Sequence, residues 1–149
     1  EICTPYFVPS EELNEALCHA ARRQVQIDLI LPKKNNSWLI KWASQSYFDT
    51  LLRLGVRIHL FEEGLLHAKV LMVDNELAFV GSVNLDVRSL QLNFELSVVL
   101  FTPASCELIS QRLVNYRQRA VQLNADQWAL RPRRHRLLER ILFFMSPLL

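Results

Sequence analysis

Within the first 61 residues, three short β-prone runs are separated by two segments of helical period. A chain written this way is committed to building a sheet with helices laid against it. Ile2 to Val8 is apolar and β-prone, and Pro9-Ser10 ends it. Ser10 is a good helix cap, with Glu11 and Glu12 where the helix dipole favours acids. Leu13, Ala16, Leu17, Ala20 and Ala21 then form an apolar stripe reaching about Arg23. Val25 to Leu31 reads as the second strand, with Ile27, Leu29 and Leu31 on one face. After the loop Pro32 to Asn36, Ser37 caps a helix carrying Trp38, Trp42, Tyr47, Phe48, Leu51 and Leu52, which stops at Gly55. Val56 to Phe61 is the third strand.

Beyond Gly64 the pattern changes. Ala68 to Val73 and Leu77 to Val80 are two β-like runs joined by Asp74-Asn75-Glu76, a hairpin without the usual glycine. Phe94 to Phe101 is a further strand, a long helix covers Ala104 to about Gln122, and a helical segment spans about Arg134 to Phe144. The expected fold is α/β, a mixed sheet covered by helices, in a single domain over residues 1–149. Cys3, Cys18 and Cys106 are odd in number, far apart and without a CxxC pair, which speaks against a disulfide framework or a zinc site. No stretch approaches the run of about 18 apolar residues that a spanning helix needs. The net charge of +2 is too mild to argue for a nucleic-acid partner. The chain opens at Glu1, not at Met, and reads as part of something longer.

The chemistry is concentrated in His67-Ala68-Lys69, Asp74 and Gly81-Ser82-Val83-Asn84. His67 and Lys69 are two apart on an expected strand, so their side chains leave one face. A fixed positive charge beside an imidazole that titrates near neutrality suits a phosphate: the lysine draws in the anion and the histidine moves a proton. Ser82 and Asn84, also two apart, can hold phosphate oxygens through a hydroxyl and an amide. A hairpin would bring the two pairs together. Gly81 is expected where backbone must approach closely or turn sharply. Asp74, at the hairpin turn, is expected to orient the site through hydrogen bonds.

The spacing HxKxxxxDxxxxxxGSxN, met by His67, Lys69, Asp74, Gly81, Ser82 and Asn84, resembles the HKD signature of the phospholipase D superfamily. The flanks resemble the bacterial cardiolipin synthase family: Thr4 to Pro9, Ile30 to Asn35, Phe61 to Leu66, Val83 to Ser89, Asn93-Phe94-Glu95 and Ser146 to Leu149. This resemblance implies a phospholipase-D-like half holding one HKD repeat, the second of a pair. It implies a phosphatidyltransferase that joins two phosphatidylglycerols into cardiolipin and releases glycerol through a phosphatidyl-histidine, with no metal or other cofactor. His67, Lys69 and Asp74 would be catalytic, with His67 as the general acid/base; Lys69, Ser82 and Asn84 would bind phosphate, and Gly81 and Glu95 would support them. Glu95 would be the partner of a catalytic imidazole, against its plain reading as a solvated strand-end acid. Arg88 and Asn93 are weaker candidates for supporting the site.

The implied partners are a phospholipid, an N-terminal HKD half or a second copy of this chain, and a membrane surface, with no nucleic acid. The implied place is the cytoplasmic side of the bacterial inner membrane. Two rival readings remain, a homodimeric phospholipase-D-like nuclease and a non-catalytic lipid-binding fragment. In the tail, Arg131, Arg133, Arg134, Arg136 and Arg140 alternate with Leu137, Leu138, Ile141, Leu142, Phe143 and Phe144. Such a segment fits an anionic membrane surface and equally a closing helix packed on the domain. His19, His59 and His135 lack partner patterns and are expected to be structural or exposed.

Overall fold

The computed structural model describes residues 1–143; Phe144 and the Ser146 to Leu149 segment lie outside the described residues. The strands are β1 (Ile2–Cys3), β2 (Phe7–Val8), β3 (Asp28–Pro32), β4 (Arg57–Phe61), β5 (Val70–Val73), β6 (Leu77–Gly81), β7 (Leu85–Asp86), β8 (Ser97–Leu100) and β9 (Ala120–Gln122). The helices are α1 (Glu11–Arg22), α2 (Trp38–Arg53), α3 (Val87–Gln91), α4 (Pro103–Gln118), α5 (Ala125–Ala129) and α6 (Arg133–Phe143). Seven strands form one sheet in the order β8-β6-β5-β1-β3-β4-β9. Its centre, β1-β3-β4, is parallel, and every other pairing in it is antiparallel. This is the expected mixed α/β arrangement. A small parallel pair, β2 with β7, stands beside it.

The two-residue period of the strands sorts the core. Leu29, Leu31 and Ile58 face α1 and α2, where Cys18, Ala21, Tyr47, Phe48 and Leu51 bury them. Ile30 and Met72 point the other way, onto Cys106 and Leu113 of α4. All three cysteines are free and buried, and burial pushes the Cys3 thiol up to about 12. The expected caps are in place, with Ser10 Oγ accepting from Leu13 N and Ser37 Oγ from Ile40 N, each at 3.3 Å. Each cap contributes on the order of 1 kcal/mol. Gly55, at φ 86°, takes the left-handed turn after α2 that a side chain would resist.

Several boundaries differ from the sequence expectation, among them the second strand, which is Asp28–Pro32 and not Val25 to Leu31. The Ile2 to Val8 run splits at Thr4-Pro5-Tyr6, because the chain crosses from the large sheet to pair with β7. The strand expected from Ala68 begins at Val70, so His67 and Lys69 precede it. Phe94 to Leu96 leave the expected strand to bond with the Ser82 segment, and β8 is only Ser97–Leu100. The long helix stops at Gln118, where Ala120–Gln122 pairs antiparallel with β4, closing that sheet edge. Here strand pairing overrides a sequence that helix propensity alone would continue.

Candidate active site

The hairpin β5–β6 turns through Asp74 and Asn75, at φ 51° and 58°, with Glu76 N donating to Val73 O at 3.0 Å. Two successive left-handed residues are what a tight hairpin turn requires, and Asp and Asn are the side chains besides glycine that accept it best. The open end of the hairpin carries the other motif residues. Leu66, buried in the same cluster as Phe61 and Met72, anchors the approach to His67, which is exposed. Lys69 O accepts from Gly81 N at 3.2 Å and so ties the start of one strand to the end of the other.

Gly81 has no room for a side chain. A Cβ there would lie 2.2 Å from Leu96 O and 2.7 Å from Ser97 Cα, both backbone atoms. This close approach lets Ser82 clasp the strand opposite, with Ser82 N donating to Leu96 O at 2.9 Å and Leu96 N donating to Ser82 Oγ at 3.0 Å. Ser82 Oγ in turn donates to Glu95 Oε2, while Asn93 Nδ2 donates to Glu95 Oε1 at 3.1 Å. Asn84 lies just beyond and gives one Nδ2 hydrogen to Ser89 Oγ at 3.1 Å. Ser89 is itself set by the Asp86 cap at the start of α3. The sequence reading did not anticipate α3, though Asp86 followed by Val87-Arg88-Ser89 is a capping signal.

The charges around this end are coupled. Burial lowers the pKa of Lys69, and the carboxylate of Glu95 opposes that shift. Glu95 is held below the usual carboxylate range by the hydrogen bonds from Ser82 and Asn93, with a smaller contribution from the Lys69 charge. Lys69 Nζ also donates to His67 O at 2.9 Å, which places the ammonium beside the imidazole-bearing residue. Lys69, Ser82 and Asn84 thus lie at one open end, with His67 on the segment that leads into it, residue types that can bind a phosphoryl group and move a proton.

His67 has a wall that the sequence reading missed. The Tyr6 ring meets it edge-on with centroids 6.4 Å apart. Tyr6 Oη donates to Asn36 Oδ1 at 2.9 Å, and Asn35 Nδ2 donates to Pro5 O at 3.1 Å. Loops following β1 and β3 are therefore fastened to each other beside the histidine. Beside Lys69 lies a depression lined mainly by apolar side chains, among them Ile2, Leu71, Phe79, Val83, Leu85 and Leu90.

Two placements bear on the expected roles. Asp74 is at the far end of the hairpin from His67, separated by the length of β5, roughly 13 Å at about 3.3 Å per residue. It shapes the turn and is not brought to the cluster. The hydrogen bonds of Glu95 go to Ser82 and Asn93 and not to His67, because the Phe94 to Leu96 segment is drawn onto Ser82. Of the weaker candidates, Asn93 holds Glu95, and Arg88 is exposed, contributing its carbonyl to Leu92 N and Asn93 N. Among the other histidines, His59 is buried against Asp28 at 2.7 Å, His135 packs on Trp42, and His19 is exposed.

Residues 1–120 match the family model described as "Cardiolipin synthase, PLD-like domain". Cardiolipin synthase A of Proteus mirabilis (strain HI4320) is 48% identical over 146 residues, which is 98% of this chain and 30% of that protein. The same figures hold for cardiolipin synthase A of Serratia proteamaculans (strain 568). The chain thus spans about 30% of the length of the curated relatives it matches. Among solved structures, the phospholipase D family member Nuc from Salmonella typhimurium superposes with a TM-score of 0.71 at 20% identity, covering 83% of this chain and 80% of that one. Phosphatidylserine synthase from Haemophilus influenzae Rd KW20 gives a TM-score of 0.76 at 15% identity, over 99% of this chain and 41% of that one. At such identities these two establish a shared fold.

Proposed function

Because this chain belongs to the cardiolipin synthase, phospholipase-D-like domain family, we propose that it supplies the second HKD half of a bacterial phosphatidyltransferase that makes cardiolipin from two molecules of phosphatidylglycerol. The observation that carries this reading is the convergence of His67 and Lys69 with Ser82 and Glu95 at the open end of one hairpin.

In this reading a histidine from a partner half attacks the phosphorus of the first phosphatidylglycerol. The P–O bond to glycerol breaks, the leaving oxygen takes a proton from His67, and a phosphatidyl-histidine remains. His67, now neutral, removes the proton from a hydroxyl of the second phosphatidylglycerol. That oxygen attacks phosphorus, the P–N bond breaks, and both histidines return to their starting states. Lys69 neutralises the phosphate as charge builds on its oxygens, and the Ser82 and Asn84 side chains steady it. Ser82 does so by turning its one O–H from Glu95 to a phosphate oxygen, since that hydrogen is the only one it can donate. Asp74 acts on this site only by keeping the hairpin in register.

The partner half has an obvious place to sit. Leu92, Phe94, Leu96, Val98 and Phe101 form an exposed apolar strip running from the site along β8, more than an isolated chain comfortably leaves in water. His67 is exposed as well, which suits a site closed by a second half. That half is an N-terminal HKD repeat of the same protein or a second copy of this chain. In this reading the enzyme works at the cytoplasmic side of the bacterial inner membrane. No helix among the described residues is long and apolar enough to cross a membrane.

Glycerol release from phosphatidylglycerol in mixed micelles tests this. The chain alone, the chain with a first-motif half, and the same pair carrying His67→Ala should be compared. Restoration by the added half and its loss in the variant support the proposal; full turnover by the variant removes His67 from the mechanism.

A further inference from the structure

Helix α6 has two distinct faces, and the fold uses one of them. His135, Leu138, Glu139 and Leu142 turn inward, with His135 edge-on to Trp42 at 5.1 Å between centroids. Just before the helix, Arg131 reaches back across this interface. Its Nη2 donates to Glu139 Oε2 at 2.7 Å, and its Nη1 lies 3.4 Å from Asp49 Oδ1. Arg131 therefore contacts Asp49 while His135 contacts Trp42, so α6 runs antiparallel to α2 and its last turns lie beside the first turn of α2.

The outward face is built differently. Arg133, Leu137 and Ile141 follow one another at four-residue spacing, and Leu137 and Ile141 are 62% and 54% exposed. Arg134 and Arg136 flank this stripe and are exposed. The single acid of the helix, Glu139, is buried under Arg131 and contributes no negative charge to this face. At the α2 end, Trp38 stands one turn before Trp42 on the same helix face and is 56% exposed. From there the structure leads directly to the site, through Asn36, which holds Tyr6, which meets His67. Leu65, two residues before His67, is 71% exposed.

We propose that the outer face of α6, with Trp38 and Leu65 at its His67 end, docks on an anionic phospholipid bilayer and lays the open end of the site against the headgroups. Apolar side chains ringed by arginines, with a tryptophan at the margin, match the boundary between anionic headgroups and acyl chains. A second copy of the chain is a poor occupant, because a twofold contact would gather both sets of these arginines into one interface while Glu139 on each helix is taken by Arg131. The apolar strip on β8 carries no such ring of cations and is left to the partner half. The choice of lipid rests on the phosphatidyl-transfer reading above, whereas the surface itself is read from exposure and charge.

The test is co-sedimentation of the full 149-residue chain with phosphatidylcholine vesicles, with and without phosphatidylglycerol. Binding should require phosphatidylglycerol and weaken as salt is added. Leu137→Glu with Ile141→Glu should abolish it. Arg133→Gln, Arg134→Gln and Arg136→Gln together should lower partitioning on the order of a hundredfold, at about fivefold per charge. All five side chains are exposed, so the far-ultraviolet circular dichroism should not change. Val98→Ser with Phe101→Ser, on the β8 strip, should bind as the parent does. Indifference to phosphatidylglycerol, parental binding by both α6 variants, or loss of binding in the β8 variant would each overturn the proposal. The readout is partitioning and not turnover, so its failure leaves the chemistry at His67 standing, and an inactive His67 would leave the docking face standing.

Discussion

Ser82 holds Glu95, and it does so from a position that Gly81 makes possible. The Ser82 hydroxyl accepts from Leu96 N on one side and donates to the Glu95 carboxylate on the other. With no Cβ on Gly81, β6 and β8 come close enough for both bonds. A phosphate arriving at Lys69 therefore meets a hydroxyl whose oxygen is fixed in place and whose one hydrogen must turn from Glu95 to hold it.

His67→Ala in the complete enzyme should reduce turnover by roughly the 10²- to 10⁴-fold that lost acid/base catalysis brings. Lys69→Arg should also cripple the enzyme, because a planar fork replaces a compact charge at a crowded hairpin end. Rates of glycerol release with the Michaelis constant determined separately check both, and near-parental turnover in either variant would count against its assigned role.

Gly81→Ala should destabilise the fold by about 1–3 kcal/mol, the range for forcing a group into filled space. The added methyl meets backbone atoms of Leu96 and Ser97, which cannot swing aside as a side chain would. A lower midpoint in urea unfolding, with an unchanged slope, is the expected result.

Ser82→Ala should raise the pKa of Glu95. The hydrogen bond from Ser82 is the largest influence holding that carboxyl down, and Asn93 and Lys69 remain to hold part of the effect. Carboxyl carbon shifts followed through an acid titration measure it directly. No movement would mean that the two side chains are not bonded in solution.

Asp28 makes acid stability a further measurable. Its burial works to raise the pKa, but hydrogen bonds from Arg57 and His59 outweigh that and hold the carboxyl below its usual range. The folded-state value lies below the unfolded one, so the stabilisation is full above about pH 4 and is lost as pH falls through the folded-state value. Asp28→Asn should cost about 1.5–3 kcal/mol near neutrality, the range for hydrogen bonds to a charged group. It should also flatten the acid limb of a stability-against-pH curve. An unchanged acid limb would remove Asp28 from it.

At the hairpin turn, Asn75→Gly should stabilise the chain by up to about 1 kcal/mol by removing the cost of a left-handed non-glycine residue. Asp74→Val should destabilise it by a similar or larger amount, since a branched side chain resists that conformation. Asp74→Asn tolerates the same backbone. Loss of turnover in that variant at unchanged stability would give Asp74 a part in the site that the hairpin geometry does not provide.

Much of this was legible in the residues. Ser10 and Ser37 announce their helices because a cap is local, a hydroxyl answering an amide three residues on. The two-residue spacing of Ile27, Leu29 and Leu31 announces a strand for the same local reason, while the burial of Ile30 on its other face came from α4. The spacing of His67, Lys69, Gly81 and Ser82 was enough to place them around one hairpin end. Contacts between distant segments were not legible. Nothing near Ala120 says that β4 offers an unpaired edge, nothing near Tyr6 says that Asn36 will hold it against His67, and nothing near Glu95 says that Ser82 will reach it first. Short-range order is written in neighbouring residues, whose backbone preferences and hydrogen bonds are settled within a turn or a strand. The sequence alone therefore determined the longer helices and strands and the hairpin that carries Lys69 and Ser82 at its open end. Only the tertiary structure decided which partner each of those side chains takes, because that depends on which backbone segments the packed sheet brings within about 3 Å of one another.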